Sequence, residues 1–376
     1  MSKYIYDITF VFGKGRKQKL LSNLDYGKEF FYGYPYFSSK YKTNIIETEK
    51  QNSFFLTKKV LKFLDLFFAK FSKLTFYMNV LISRETLAQL YYSKNVITSN
   101  HGIGMSLFIY IYFMKIFKKI NFIVILSGLF SMKKSNLIVR ALRKIIFSFF
   151  LFTVDFLIFT NRSEYEFARN KHKKYESKFI CLPFCIDTNF WKPNTTPNFE
   201  QKKGVLFIGN NGHRDFNLVI DIANTLRNIP FTFITNRIKN EDIKFNNVTN
   251  ILGDWNAGYL SDEEVKNYYE NARIVILPIN DTLVSSGQSA GLQAASVGTP
   301  VITTRTIGFW DYKNYVSNKN ILLLKDNTLK LWVTTIENLY NNYEKLEELS
   351  KESLSLVNSH YTLDNFDKNL EEYLIL

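Results

Sequence analysis

Residues suited to chemistry gather in one stretch, Val284-Ser-Ser-Gly-Gln-Ser-Ala-Gly-Leu-Gln-Ala-Ala-Ser-Val-Gly-Thr-Pro-Val-Ile-Thr-Thr304. Ser285, Ser286 and Gly287 make a small-residue loop. Gln288–Ser296 reads as a short helix carrying Ser289 and Gln293, Gly298-Thr-Pro300 as a turn and Val301–Thr304 as a strand. A helix that starts behind Ser and Gly is suited to anions, because unpaired backbone N–H groups converge there, Gly admits close approach and the helix dipole favours negative charge. The plainer reading of the stretch is one crossover of a parallel sheet. A second candidate is His101 in Ser99-Asn-His-Gly102, placed just after an apolar strand. Parallel sheets bind ligands beyond the carboxyl ends of their strands, so His101 is expected to face a substrate cleft.

The elements that must position these residues follow from the patterning. Apolar runs at 95–99, 121–126, 155–160 and 178–182 alternate with helical patterns at 105–117, 136–150 and 163–171, after a first strand at 4–12. The alternation begins again with strands at 204–209, 231–235, 248–252, 274–278, 301–304 and 321–324. Helices at 217–227, 262–271, 288–296 and 328–343 separate them, and two more close the chain, from Glu344 and at 364–373. Continuous apolar strands between helices indicate parallel sheets covered on both faces. The fold class is therefore α/β, with two Rossmann-like domains facing a cleft. The boundaries are a first domain at 1–188, a linker at 189–203, a second domain at 204–358 and a C-terminal helix at 359–376 that can return to the first domain. The linker centres on Lys192-Pro-Asn-Thr-Thr-Pro-Asn198. Ser261-Asp-Glu-Glu264 can form a capping box. Residues 19–50, rich in Tyr, Phe and Gly, show no clear period, and the patterning assigns no structure to 13–50.

Charge is distributed unevenly. Residues 1–190 hold 30 Lys and Arg against 12 Asp and Glu, whereas residues 191–376 hold 18 against 22. A basic half attracts phosphate, whether of nucleic acid, an anionic membrane or a substrate. Phe and Tyr crowd the same half, a pairing that suits a bilayer headgroup region. Over 53–73, Phe54, Leu61, Leu64, Phe68 and Phe71 alternate with Lys58, Lys59, Lys62, Lys70 and Lys73 as in a basic amphipathic helix. That helix either presents Lys to solvent or lies on a membrane. The apolar runs at 103–114, 120–132 and 145–154 fall short of the roughly 20 residues needed to span a bilayer. Without a signal-peptide core, the expected location is cytoplasmic or peripheral on the inner face of the plasma membrane. Cys181 and Cys185 are too few for a disulfide scaffold, and no second pair supports zinc. Gly13-Lys-Gly-Arg-Lys17 lacks the spacing of a phosphate-binding P-loop.

Several motifs in order resemble the GT-B-fold retaining glycosyltransferases of family four, also described as glycosyl transferases group 1. They are Leu182-Pro-Phe-Cys-Ile-Asp-Thr-Asn-Phe-Trp-Lys-Pro193, Val205-Leu-Phe-Ile-Gly209, Leu260-Ser-Asp-Glu-Glu-Val265 and Leu292-Gln-Ala-Ala-Ser-Val-Gly-Thr-Pro-Val-Ile302. Coverage is good from about residue 155 onward; earlier it rests on the strand–helix rhythm and His101. The resemblance implies donor binding by Gly209, Asn210, Ser285, Ser286, Gly287, Gln288, Ser289 and Gln293. It implies a cation after the first strand of the second domain, for which Asn210-Asn-Gly-His-Arg-Asp215 offers Arg214, with His213 adjacent. It places the nucleobase near Gly253-Asp254-Trp255, where Trp255 either stacks on the base or packs, and His101 near the transferred sugar. The sequence departs from the family at two points. Members commonly carry two glutamates separated by seven residues; here the second position is Gln293, and Ser285 stands eight before it. Cys185 replaces the usual Gly of the interdomain segment.

The implied activity is a hexosyltransferase-type transfer from a nucleotide-sugar donor to a glycan or lipid-linked acceptor in surface polysaccharide synthesis, retaining and without a metal cofactor. No Asp-x-Asp pair occurs. The alternatives are a nucleotide-sugar epimerase of the same fold, or a non-enzymatic basic protein bound to a membrane or nucleic acid. No nucleic-acid motif supports the last, so nucleic acid is not an expected partner.

Overall fold

The computed structural model describes residues 4–22, 25–49, 55–126, 128–131, 136–253 and 258–375. The first half runs β1 (Tyr6–Phe12), α1 (Arg16–Leu20), α2 (Tyr34–Lys40), β2 (Thr43–Glu47), α3 (Phe55–Ser72), α4 (Met78–Leu81), α5 (Arg84–Tyr91), β3 (Ser93–Thr98), α6 (His101–Phe117), β4 (Asn121–Leu126), α7 (Leu137–Thr153), β5 (Phe156–Phe159), α8 (Arg162–Lys171) and β6 (Phe179–Cys181). Its strands form one parallel sheet in the order β2-β1-β3-β4-β5-β6. All six residues of β4 are buried, as expected of a strand covered on both faces.

The second half runs β7 (Val205–Ile208), α9 (Phe216–Thr225), β8 (Phe231–Thr235), β9 (Val248–Leu252), α10 (Asp262–Asn271), β10 (Ile274–Leu277), α11 (Gln288–Ser296), β11 (Val301–Thr304), β12 (Leu322–Leu324), α12 (Leu329–Tyr340), α13 (Tyr343–His360) and α14 (Leu363–Glu371). Its parallel sheet has the order β12-β11-β10-β7-β8-β9. In each sheet the chain reverses its direction of travel once, between β1 and β3 in the first and between β7 and β10 in the second. Loops on either side of such a reversal leave in opposite directions and open a crevice at the carboxyl ends of the strands.

The chain passes between the two sheets twice. The first passage contains Ile186 and Trp191, and the second lies at Tyr361 and Thr362, just before α14. The two passages touch: Ile186 N donates to Tyr361 O at 2.9 Å, and Ile186 forms a parallel bridge with Thr362. Beyond the second passage α14 lies against the first sheet's half. Tyr36 and Tyr41 hydroxyls each donate to Glu371 at 2.6 Å, Asn121 Nδ2 donates to Tyr373 O at 2.7 Å, and Asn95 Nδ2 donates to Ile375 O at 2.8 Å.

Asp367 on α14 is buried and its Oδ1 has no hydrogen-bond partner among the described residues. Burial, reinforced by Asp364, Asp187 and Glu371, raises its carboxyl from the ordinary 3.8 to about 7. A raised acid binds more protons folded than unfolded, so its stabilisation is complete below about pH 4 and is lost as pH rises through about 7. Urea unfolding midpoints should therefore fall between pH 5 and pH 8, and Asp367→Asn should flatten that fall. Equal slopes in both proteins would refute the assignment.

Candidate active site

Arg214 sits at the reversal point of the second sheet. Its segment is held by backbone pairing to the chain leaving β10: Asn280 N donates to His213 O at 2.8 Å, Asp215 N donates to Pro278 O at 3.0 Å, and Arg214 bridges Ile279. Asp215 then caps α9 by accepting from Leu218 N at 3.2 Å. The guanidinium lies between two glycines with positive φ. A Cβ on Gly209 (φ +132) would stand 3.0 Å from Nη2, and one on Gly287 (φ +91) would stand 2.5 Å from Nη1. Any other residue at either position would push into the guanidinium, so the glycines make the slot that Arg214 fills.

Arg214 is 5% exposed, and neither Nε nor Nη1 has a hydrogen-bond partner among the described residues. Burial lowers its pKa to about 10, which leaves it cationic at neutral pH. Gly287 is also the left-handed residue that begins α11, where no side chain caps the first turn. A buried cation whose Nε and Nη1 are open among the described residues and a helix N-terminus without a side-chain cap thus meet at one point. Both favour an anion, and the guanidinium fork suits phosphate oxygens in particular.

The remaining residues divide by what their side chains touch. Ser286 is buried with no partner for Oγ among the described residues, and Ser289 is half-buried on the first turn of α11. Gln288 reaches across to the first half, donating from Nε2 to Thr160 O at 2.9 Å, and Asn161 Nδ2 donates to Ser285 Oγ at 3.4 Å. These two side chains join the halves of the protein. Asn210 is engaged within its own half: its Oδ1 accepts from Thr235 Oγ1 and Asn236 N, each at 2.8 Å, and its Nδ2 donates to Gly253 O. Asp254 and Trp255 lie outside the described residues.

His101 sits at the reversal point of the first sheet. It is the first residue of α6 rather than part of a loop, and Asn100 caps the helix by accepting from Ile103 N at 3.0 Å. The glycines around it serve packing: a Cβ on Gly104 would stand 2.8 Å from Val124, and one on Gly102 would stand 2.7 Å from Tyr77. The helix start therefore lies directly on its neighbours. His101 Nδ1 is buried without a partner among the described residues, and burial lowers the imidazole to about 4. It is neutral at pH 7 and offers one donor and one acceptor.

Gln293 reveals a residue the sequence did not suggest. Its Nε2 donates to Glu29 Oε1 at 2.8 Å, and its Oε1 accepts from the Tyr269 hydroxyl at 3.3 Å. Glu29 belongs to the aperiodic segment ahead of α2, and its Oε1 also accepts from Trp191 Nε1 at 3.0 Å. The carboxylate is 3% exposed, and burial raises its pKa. Nearby, Lys19 pairs with Asp262 at 2.6 Å and Gly27 N donates to the same carboxylate at 3.1 Å. The segment after β1 thus spans the cleft onto α10 and α11. Nothing local marks Glu29, since its partner lies 264 residues away in the chain.

No family model matches the chain, and no curated protein matches it in sequence. Solved structures do. A glycosyltransferase from Rickettsia africae superposes with a TM-score of 0.65 at 12% identity, covering 99% of this chain and 98% of its own. The sucrose-phosphate synthase of Thermosynechococcus elongatus gives 0.66 at 11%, with 97% of each chain covered. HepE of Anabaena, solved in complex with UDP-glucose, gives 0.64 at 9%, covering 97% and 98%. The fold is GT-B. In a GT-B protein the two sheets face one cleft, and the reversal points carrying His101 and Arg214 are the places where each sheet offers its loops to that cleft.

Proposed function

We propose that this chain is a glycosyltransferase that moves a hexosyl group from a nucleotide-sugar donor to a glycan or lipid-linked acceptor in surface polysaccharide synthesis, with retention of configuration and without a metal cofactor. The observation that carries the reading is the buried Arg214 guanidinium, with Nε and Nη1 open among the described residues, set against Gly287 at the start of α11. Cleaving a sugar–phosphate bond sends the bonding electrons to the leaving pyrophosphate, and groups fixed in advance around that charge lower the barrier. Arg214 and the first turn of α11 hold the pyrophosphate. Ser286 and Ser289 offer hydroxyls beside it, and Gln293 faces the ribose. Neutral His101 holds the transferred sugar by hydrogen bonding from the opposite sheet. The acceptor hydroxyl attacks the anomeric carbon from the side of the departing phosphate, whose oxygen takes the acceptor proton. HepE, which shares the fold, has been solved with UDP, with UDP and glucose, and with UDP-glucose, which supports a nucleotide-sugar donor.

The test is a panel of nucleotide sugars incubated with membrane-extracted acceptors, with and without a chelator. One donor should be consumed in an acceptor-dependent reaction that the chelator leaves unchanged. Turnover to an epimer without acceptor would replace this reading with an epimerase. Folded protein that neither turns over any donor nor is stabilised by any nucleoside diphosphate would remove it.

A further inference from the structure

Three helices of the first half turn an apolar face outward. On α7, Leu137, Ile138, Ile145 and Phe152 are 75%, 68%, 66% and 63% exposed, although Phe147, Phe150 and Leu151 on the opposite side are buried. An ordinary surface helix is polar on its outer stripe; this one interleaves large exposed apolar side chains with Arg140 and Lys144, the pattern of a helix with a second apolar neighbour. The neighbouring helices continue the face. On α3, Phe63 and Leu66 are more than 60% exposed, with Val60 and Phe67 beside them, and at the carboxyl end of α6 Phe113, Ile116 and Phe117 are exposed. α7 packs against both α3 and α6. Between the three helices lies an apolar cavity of about 200 Å³, lined by Phe68 of α3, Met105 and Phe108 of α6, and Ile145 and Phe149 of α7.

Charge decides what covers the face. The three helices carry Lys58, Lys59, Lys62, Lys70, Arg140, Arg143 and Lys144, besides Lys115, which is paired with Asp155, and their sole acidic residue is Asp65. Asp65 is buried and accepts from Met78 N and Asn79 N, both at 2.9 Å, so it offers nothing outward. A second copy of this chain would bring cation against cation. Nucleic acid would leave the apolar stripe in water. A bilayer with anionic headgroups satisfies both, taking the rings and branched chains at the acyl boundary and the Lys and Arg at the phosphates.

The geometry points to an anionic membrane surface as the partner of this three-helix face, with the cavity between the helices receiving the end of one acyl chain. No helix among the described residues is long and apolar enough to cross a membrane, so the contact is a docking one. α7 begins shortly after the segment in which Gly128 and Ser131 face Val284 and Thr282 across the cleft. Under the transferase reading, a lipid-borne acceptor then enters the cleft from the same surface that holds the protein.

Vesicle flotation tests the docking without any nucleotide, so its outcome is separable from that of the donor reading. The full chain should float with vesicles of phosphatidylcholine and phosphatidylglycerol in equal parts, should not float with phosphatidylcholine alone, and should lose binding in high salt. Ile138→Ser with Ile145→Ser, and separately Lys62→Glu with Lys144→Glu, should each lower partitioning by about tenfold or more. All four are surface positions, and an unchanged melting temperature would show that the fold is kept. Equal flotation with both vesicle types, no flotation, or variants that bind as the parent does would each overturn the proposal. So would a dimer in light scattering that the serine pair converts to monomer, which would assign the face to a second copy.

Discussion

Replacing Arg214 by Met should lower sugar transfer by about 10²- to 10³-fold, the usual effect of removing one donor from a site that stabilises a developing anion. The same change should leave the unliganded protein as stable as the parent, or about 1–3 kcal/mol more stable, because it removes a buried charge whose Nε and Nη1 have no partner among the described residues. Nucleoside diphosphate should then cease to raise the melting temperature. This opposition separates binding from architecture. A structural arginine would cost stability when removed and leave the nucleotide response intact, and that result would reject the assignment. Arg214→Lys should rescue little, since an ammonium carries the charge but not the fork that fills the slot between Gly209 and Gly287.

Gln293→Glu should destabilise the protein at pH 8 by roughly 2–4 kcal/mol, although Glu is the residue that the motif resemblance leads one to expect there. In this chain the amide already donates to Glu29 Oε1 at 2.8 Å. A carboxylate in its place would face Glu29 with no proton between them, and two carboxylates at that distance cannot both ionise. The folded pair would titrate above the unfolded value near 4.5. Its stabilisation would be complete below that value and lost as pH rises, so the defect should shrink at pH 5, where a shared proton restores the hydrogen bond. Pairing Gln293→Glu with Glu29→Gln should recover most of the loss at pH 8 by exchanging donor and acceptor. Denaturant melts of the two single variants and the double complete the cycle. A double variant no better than Gln293→Glu alone would show that the residues are not coupled. In this chain the carboxylate at this point comes from Glu29, on a segment of the other half of the molecule, and an amide at position 293 is what can donate to it.

The same pair shows where the sequence is legible and where it is not. Runs such as Ile274–Leu277 and Asn121–Leu126 read directly as buried parallel strands, because a strand covered on both faces needs only continuous apolarity. The capping box was readable because it is local: Glu264 N donates to Ser261 Oγ at 3.2 Å and Ser261 N to Glu264 Oε2 at 2.7 Å. The edge strand β2 and helix α2 were not readable. α2 is placed by aromatic packing of Tyr34 and Phe37 on Phe10 and Phe12, and β2 by pairing with β1, neither of which leaves a period in the sequence. Arg214 was within reach because it follows a strand, whereas its slot between two glycines 78 residues apart belongs to tertiary structure alone. The outward stripe of α7 was hidden for a different reason. A helix apolar on both faces and a helix buried in a core have the same composition, and only the fold shows which face is left uncovered.

The paired passages at Ile186 and Thr362 have a mechanical consequence. A body tied to its mate by a single thread can swing, roll and swivel. Two strands bonded side by side resist the last two and leave one easy rotation, about a line through the bridge. Against that rotation Gln288 and Gln293 already tie the halves together, through Thr160 O and Glu29 Oε1, so the angle between the two sheets is set by side chains of the candidate site itself.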